Sequence, residues 1–144
     1  NTSIEATISK NINNDIWEKF IALVALSGAT SITRLPIRTL MSNPTTVALI
    51  NNLMDETLNL AKAKGINISK TILKKHREFF ESVSPQMSSS MLKDLRNGRR
   101  LELDWLSGGV VRMAHQIGLK APTNETVLAA LKLYQNGFPV LVTK

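Results

Sequence analysis

The segment "DIWEKFIALVALSG", Asp15–Gly28, is apolar on nearly every side when wound as a helix, and a helix with no polar face must be enclosed by others. That places it at the centre of whatever the chain folds into. Around it the apolar spacing stays helical almost throughout, and no segment alternates long enough to make a half-buried strand. The chain is expected to be all-α, a single helical domain of about seven helices. At 144 residues it can bury about two thirds of the surface its unfolded form exposes, with no disulfide or metal staple.

Asp15 and Glu18 have capping-box spacing and should open the first helix, which Gly28 should close. Pro36 discourages helix at Leu35 and allows a short one from Ile37 to Met41. The third has Asn43 as cap, Pro44 in its first turn, Gly65 beyond its end, and Val47, Ile50, Leu53, Met54, Leu58 and Ala61 along one face. A basic amphipathic helix is expected over Ser69–Ser82, then a short one over Met91–Arg96, capped from Ser88–Ser90 and closed by Asn97-Gly98. A sixth should run from about Arg99 to Ile117 with Gly118 as its stop, and a last one from "PTNET" through Val127, Leu128, Leu131 and Tyr134. The polar opening, residues 1–14, has no initiator Met and reads as a connector into a domain of residues 15–144, as if the chain were the second half of something longer.

The chain has no cysteine, which excludes thiol chemistry and cysteine-based zinc sites, and His76 and His115 stand too far apart in sequence to suggest a metal site. The longest apolar run, Phe20–Leu26, is well short of the roughly 18 residues that span a bilayer, and no signal pattern precedes it, so a cytoplasmic protein is expected. The excess of 18 Lys+Arg over 11 Asp+Glu favours anionic partners. The densest basic tracts are "KTILKKHR", Lys70–Arg77, and "RNGRR", Arg96–Arg100; with Tyr134 the only tyrosine and few other aromatics for stacking, solvated helix faces fit them better than a nucleic-acid groove.

Lys19 sits one turn into the apolar helix, where the dipole and the neighbours Trp17, Phe20 and Ile21 both oppose its charged form, a setting suited to proton transfer. The plainer alternative is a lysine whose stem snorkels to water. Leu23 and Ser27 follow it on one stripe, and they line a cleft if Lys19 faces one. Ser90 is either a simple cap for the short helix or a cap beside free amides that suit a small carboxylate or phosphate. If residues 99–117 form one helix, Glu102 shares the inward face with Leu106, Gly109, Met113 and Ile117, while Asp104 points away with His115. A buried carboxylate is either in a structural ion pair or at a site. Gly108-Gly109 then permits close approach of a backbone or a ligand, a tight helix crossing being the simpler cause.

In chain order, "WEKF" at Trp17–Phe20, the "DE…AKAKGI" helix end at Asp55–Ile66, "SSMLKDLRNGRRLELDWLSGGVV" at Ser89–Val111 and "GLKAPTN" at Gly118–Asn124 resemble the C-terminal helical domain of ketopantoate reductases (2-dehydropantoate 2-reductases). The resemblance implies a fold like the 6-phosphogluconate dehydrogenase C-terminal domain, serving for substrate binding and dimerisation. It implies a preceding Rossmann domain with a GxGxxG loop that binds NADPH, and hydride reduction of a 2-oxo acid. If that acid is ketopantoate, the reaction belongs to pantothenate biosynthesis. None of the seven glycines here forms a GxGxxG, so the dinucleotide's main site would lie outside this chain, and the chain alone is expected to be inactive. Lys19 matches the family's keto-oxygen-binding proton donor. Ser90 matches its carboxylate-binding serine, within a substrate-binding turn of Ser90, Met91, Leu92 and Lys93, and Glu102 matches the glutamate on the cofactor side. Where the best-known members carry asparagines, this chain has Leu23, Ser27 and Ile37, which favours a more apolar 2-oxo acid. Arg34 offers a further carboxylate contact, with surface pairing as the alternative. The competing expectation is a non-catalytic helical interaction module that uses the basic helix Lys70–Arg77.

Overall fold

In a computed structural model, which describes residues 11–141, seven α-helices and a closing 3₁₀ turn follow one another, with no strand among the described residues. They are α1 (Ile12–Thr33), α2 (Ile37–Met41), α3 (Pro44–Ala63), α4 (Thr71–Ser82), α5 (Ser90–Arg96), α6 (Ser107–Gln116) and α7 (Pro122–Leu131), then the turn Lys132–Tyr134. The all-α architecture is as expected; residues 1–10 of the expected connector lie outside the described residues.

α1 is longer at both ends than its sequence suggests. Its cap is Asn11, whose Oδ1 accepts from Asn14 N at 3.4 Å, and not the Asp15–Glu18 pair. Gly28 does not stop it. A Cβ at Gly28 would lie 3.3 Å from Leu53 Cδ1 and 3.5 Å from Val127 Cγ1, so this glycine lets α1 pass between α3 and α7 at close range. Beyond Gly28 the helix takes in polar residues: the buried Thr30 and the partly buried Thr33 donate their hydroxyls to the carbonyls of Leu26 and Ala29, both at 2.7 Å. It ends where Arg34 takes a left-handed φ of 63° ahead of Leu35-Pro36. By length and composition alone α1 could cross a bilayer, which the run Phe20–Leu26 did not suggest, but half of that stretch is buried within the domain.

The core forms on α1 as expected. Ile21, Val24, Ala25 and Ala29 are fully buried, as are Ile50, Leu53 and Met54 of α3, the helix that packs most extensively on α1. α3 has its expected start, with Asn43 Oδ1 accepting from Thr45 N at 2.9 Å. α7 adds Val127 and Leu131, and α5 adds Met91, Leu92 and Leu95. Burial of each large side chain contributes roughly 1.5–3 kcal/mol, so the middle of α1 is the fixed frame to which other elements are referred.

α5 lies along the last turns of α1. Leu92 N donates to Ser89 Oγ at 3.0 Å, Ser89 Oγ and Thr30 Oγ1 are 2.8 Å apart, and Thr30 donates onward to Leu26 O. Because the proton of Thr30 is committed to that carbonyl, Ser89 is the donor of the pair. Further along, Arg96 Nη2 donates to Arg34 O at 2.7 Å. Both ties advance together, so α5 and the end of α1 run in the same direction.

Candidate functional site

Lys19 stands exposed on α1, two residues ahead of Ile21, the first buried residue of that helix. The surrounding apolar shell expected to desolvate it is not supplied here: Trp17 and Phe20 are only half-buried, their rings edge-on at 5.6 Å. Along the stripe from Lys19, Leu23 is 39% exposed and Ser27 only 3% exposed. The stripe is therefore open at Lys19 and Leu23 and sinks into the core by Ser27, which faces no open cleft. Ile37 is fully buried and also lines no surface.

At α5 the cap is Ser89, not Ser90. Ser89 is buried and holds the amide of Leu92, whereas Ser90 is the exposed first helical residue. Of the expected substrate-binding turn, Ser90 and Lys93 are exposed, while the side chains of Met91 and Leu92 belong to the core and offer a ligand no surface.

Glu102 requires the largest correction. Residues 99–106 are not helical; α6 begins only at Ser107, and Glu102 lies on the preceding turns with its side chain exposed. Its neighbours Leu101 and Leu103 are the buried residues, and its own carbonyl accepts from Trp105 N and Leu106 N. Gly108-Gly109 correspondingly serves the chain's own backbone. A Cβ on Gly108 would lie 3.1 Å from Leu103 O, the carbonyl to which Gly108 N donates at 2.9 Å.

The turns that carry Glu102 are fastened from the far end of the chain. Leu101 N donates to Gln135 O at 2.9 Å, Lys132 Nζ lies 3.2 Å from Asp104 Oδ1, Gln135 Nε2 donates to Asp104 Oδ2, and Arg112 Nη1 donates to Asp104 O at 2.9 Å. Burial raises the pKa of the Asp104 carboxyl, but the bonds from Lys132 and Gln135 and the charges of Lys132 and Arg112 outweigh it, so the pKa lies below its ordinary value.

Other charges are likewise absorbed by structure. The Arg34 guanidinium donates to Ser31 O and lies 5.4 Å from the ring centre of Tyr134, which commits it to its own helix end rather than to a substrate. On α4, His76 Nε2 is 2.9 Å from Glu18 O and Arg77 Nη1 donates to Asn51 Oδ1 at 3.2 Å, so part of the basic tract Lys70–Arg77 turns inward. Lys74 pairs with Glu78 at 3.6 Å on the surface. By contrast, the ammonium of Lys19, the hydroxyl of Ser90 and the carboxylate of Glu102 have no hydrogen-bond or ion-pair partner among the described residues, and all three residues are exposed. A cavity of about 260 Å³ between α1 and the start of α4 is lined by Glu18, Ser69, Thr71, Ile72 and Lys75, and by none of those three residues.

The sequence profile described as "Ketopantoate reductase PanE/ApbA C terminal" matches residues 11–135. The chain belongs to the ketopantoate reductase C-terminal family. The match takes in every element from α1 to the 3₁₀ turn, and with them Lys19, Ser90 and Glu102. Among relatives, YkpB of Bacillus subtilis (strain 168), named an uncharacterized oxidoreductase, is 30% identical over 131 residues, covering 91% of this chain and 43% of its own. A 2-dehydropantoate 2-reductase of Halobacterium salinarum is 25% identical over 132 residues, covering 92% of this chain and 43% of its own. Among solved structures, a dimeric ketopantoate reductase from Staphylococcus aureus superposes with a TM-score of 0.83 at 25% identity, covering 92% of this chain and 46% of that one. The chain thus spans less than half the length of each.

Sequence reasoning missed two residues that shape this ketopantoate reductase C-terminal domain. Glu56 reaches from α3 to the start of α7, where it accepts from Thr123 N at 2.7 Å, Asn124 N at 3.0 Å and Asn124 Nδ2 at 2.8 Å. It caps α7 from another helix, and only its place between the apolar Leu53 and Leu60 turns of α3 hinted at an inward carboxylate. His76, the other, looked like one charge in a basic run.

Proposed function

We propose that this chain is the substrate-binding half of an NADPH-dependent 2-oxo acid reductase, acting on ketopantoate or a related acid, with pantothenate biosynthesis as its setting if the acid is ketopantoate. The observation that carries the proposal is the family match over residues 11–135, which takes in Lys19, Ser90 and Glu102, all three exposed and unpartnered among the described residues while Glu56, Asp104, Arg34 and His76 are committed within the fold. Their exposure leaves all three open to a second half. The family and its named relatives support the reaction class.

NADPH, when bound, supplies the hydride. Of the groups present here, Glu102 fits it as an exposed acceptor for ribose or amide hydrogens, whereas the space beside Gly108 is taken by the Leu103 carbonyl of the chain's own backbone. We assign the main dinucleotide site to a preceding Rossmann domain of the full-length protein, as the family resemblance implies. The role of Lys19 follows from charge: as the carbonyl carbon is reduced, its oxygen becomes negative, and the ammonium stabilises that charge and delivers a proton from Nζ. Ser90 Oγ donates to the substrate carboxylate. Leu23, apolar and half-open beside Lys19, faces the acid's side chain and favours an apolar one. We place the full-length protein in the cytoplasm as a homodimer; this chain alone should be inactive.

The test is a panel of 2-oxo acids given to the full-length protein with NADPH. Wild type should consume the cofactor, and Lys19→Ala should lower kcat by roughly 10²–10⁴-fold, the usual contribution of a positioned acid. An unchanged kcat removes Lys19 from the chemistry.

A further inference from the structure

The part of α1 that bears Lys19 is held less firmly than the rest of the helix. Ile12, Asn13, Asp15, Ile16 and Lys19 are exposed, and no residue of α1 before Ile21 is buried. On one flank the cavity lined by Glu18, Ile72 and Lys75 leaves this stretch unpacked against α4. Among the described residues, long-range hydrogen bonds cross to it at two points. Asn14 Nδ2 donates to Asn67 O at 2.9 Å in the first turn, and the His76 ring meets the Glu18 carbonyl at 2.9 Å. That carbonyl belongs to the peptide group leading directly into Lys19.

A carbonyl only accepts, so His76 Nε2 carries a proton, and in the neutral ring Nδ1 is the bare nitrogen. Half-burial of the ring supports this, since burial lowers its pKa, against the opposing pull of the Glu18 carbonyl bond and the Glu18 charge.

We infer that His76 is a positioning residue for the reaction proposed above: its Nε2–H pins the Glu18–Lys19 peptide to α4 and so fixes where the Lys19 ammonium is presented. The inference rests on the reading of Lys19 as proton donor. A proton donor displaced by a fraction of an ångström loses rate without losing substrate affinity, because binding belongs to other groups. Gln keeps an N–H donor at similar reach, Leu fills the space without one, and Asn is too short.

The experiment uses the full-length protein. His76→Leu is expected to lower kcat about ten-fold with KM within about two-fold, and His76→Gln to recover most of the loss. In a Lys19→Ala background His76→Leu should cost nothing further, since a residue that acts through Lys19 has nothing left to act on. Hydrogen exchange should show amides 17–23 opening about ten-fold more readily in His76→Leu, with α7 unchanged. Should His76→Leu not fold, His76→Asn carries the same expectations. An unaltered kcat, or an equal loss with and without Lys19, overturns the positioning role. Unaltered exchange at 17–23 overturns the anchor whatever the activity. Failure of wild type to reduce any 2-oxo acid removes the proposed function and the catalytic half of this inference with it, while exchange still decides the anchor.

Discussion

At the scale of single residues, the instructive contrast is between two glutamates. Periodicity across residues 99–117 selects Glu102 as the inward carboxylate, but that holds only if the stretch is one helix. The alternation Leu101-Glu102-Leu103, with both leucines buried and the glutamate outside, was the sign that it is not. The inward carboxylate is Glu56, and its work is to cap α7. Glu56→Ala strips the acceptor from two amides and a carboxamide at a partly buried helix start, and should destabilise the protein by about 2–3 kcal/mol. Urea unfolding should show a lower midpoint with an unaltered slope. A loss below about 0.5 kcal/mol would mean water replaces the cap without penalty. The exposed setting of Lys19 agrees with the snorkelling alternative that its sequence position left open, and Ser89 was not distinguished from Ser90 as the cap of α5, because only burial tells three adjacent serines apart.

At the scale of elements, α2, α3 and α4 were legible to within two residues or so from caps, prolines and apolar spacing. The misjudged boundaries were those set by tertiary contact. Gly28 reads as a stop when only local signals are weighed, yet it is the thinnest point of α1, between Leu53 and Val127. Gly28→Val puts branched methyls where a single Cβ is already at 3.3 Å and 3.5 Å from fully buried side chains, and should cost about 2–3 kcal/mol by forcing α1, α3 and α7 apart. Thermal unfolding is the measurement; a variant as stable as wild type would show that the crossing has slack. The start of α6 was misplaced for the same reason, since the turns before it exist because Gln135 and Lys132 fold back onto them.

At the scale of the whole molecule, stability should respond to mild acid through His76. His76 titrates below its ordinary value near 6.5 when folded, so between that lowered value and 6.5 the unfolded chain binds a proton that the folded one refuses. Stability from the neutral ring is fully present above the ordinary value and is lost as pH falls through the window beneath it. The unfolding midpoint should therefore drop as pH falls from about 7 through the window just below 6.5, and His76→Gln should flatten that drop. A slope identical in the variant would place the titrating group elsewhere. Asp104 acts in the same direction lower down: its depressed pKa contributes stability above an ordinary value near 3.8, lost only on further acidification.

The fastening of the Glu102 turns by Lys132 and Gln135 also has a consequence in time. A chain still on the ribosome acquires Lys19 first and Ser90 much later, and both can settle once α1 and α5 meet. Glu102 emerges soon after, but its turns have no anchor until some thirty further residues have been made and the Gln135 carbonyl can accept from Leu101 N. The candidate site is thus finished last, by a segment that contributes nothing to it chemically, and a message truncated after Leu131 would yield a domain with its α1–α5 frame in place and its Glu102 turns unfastened.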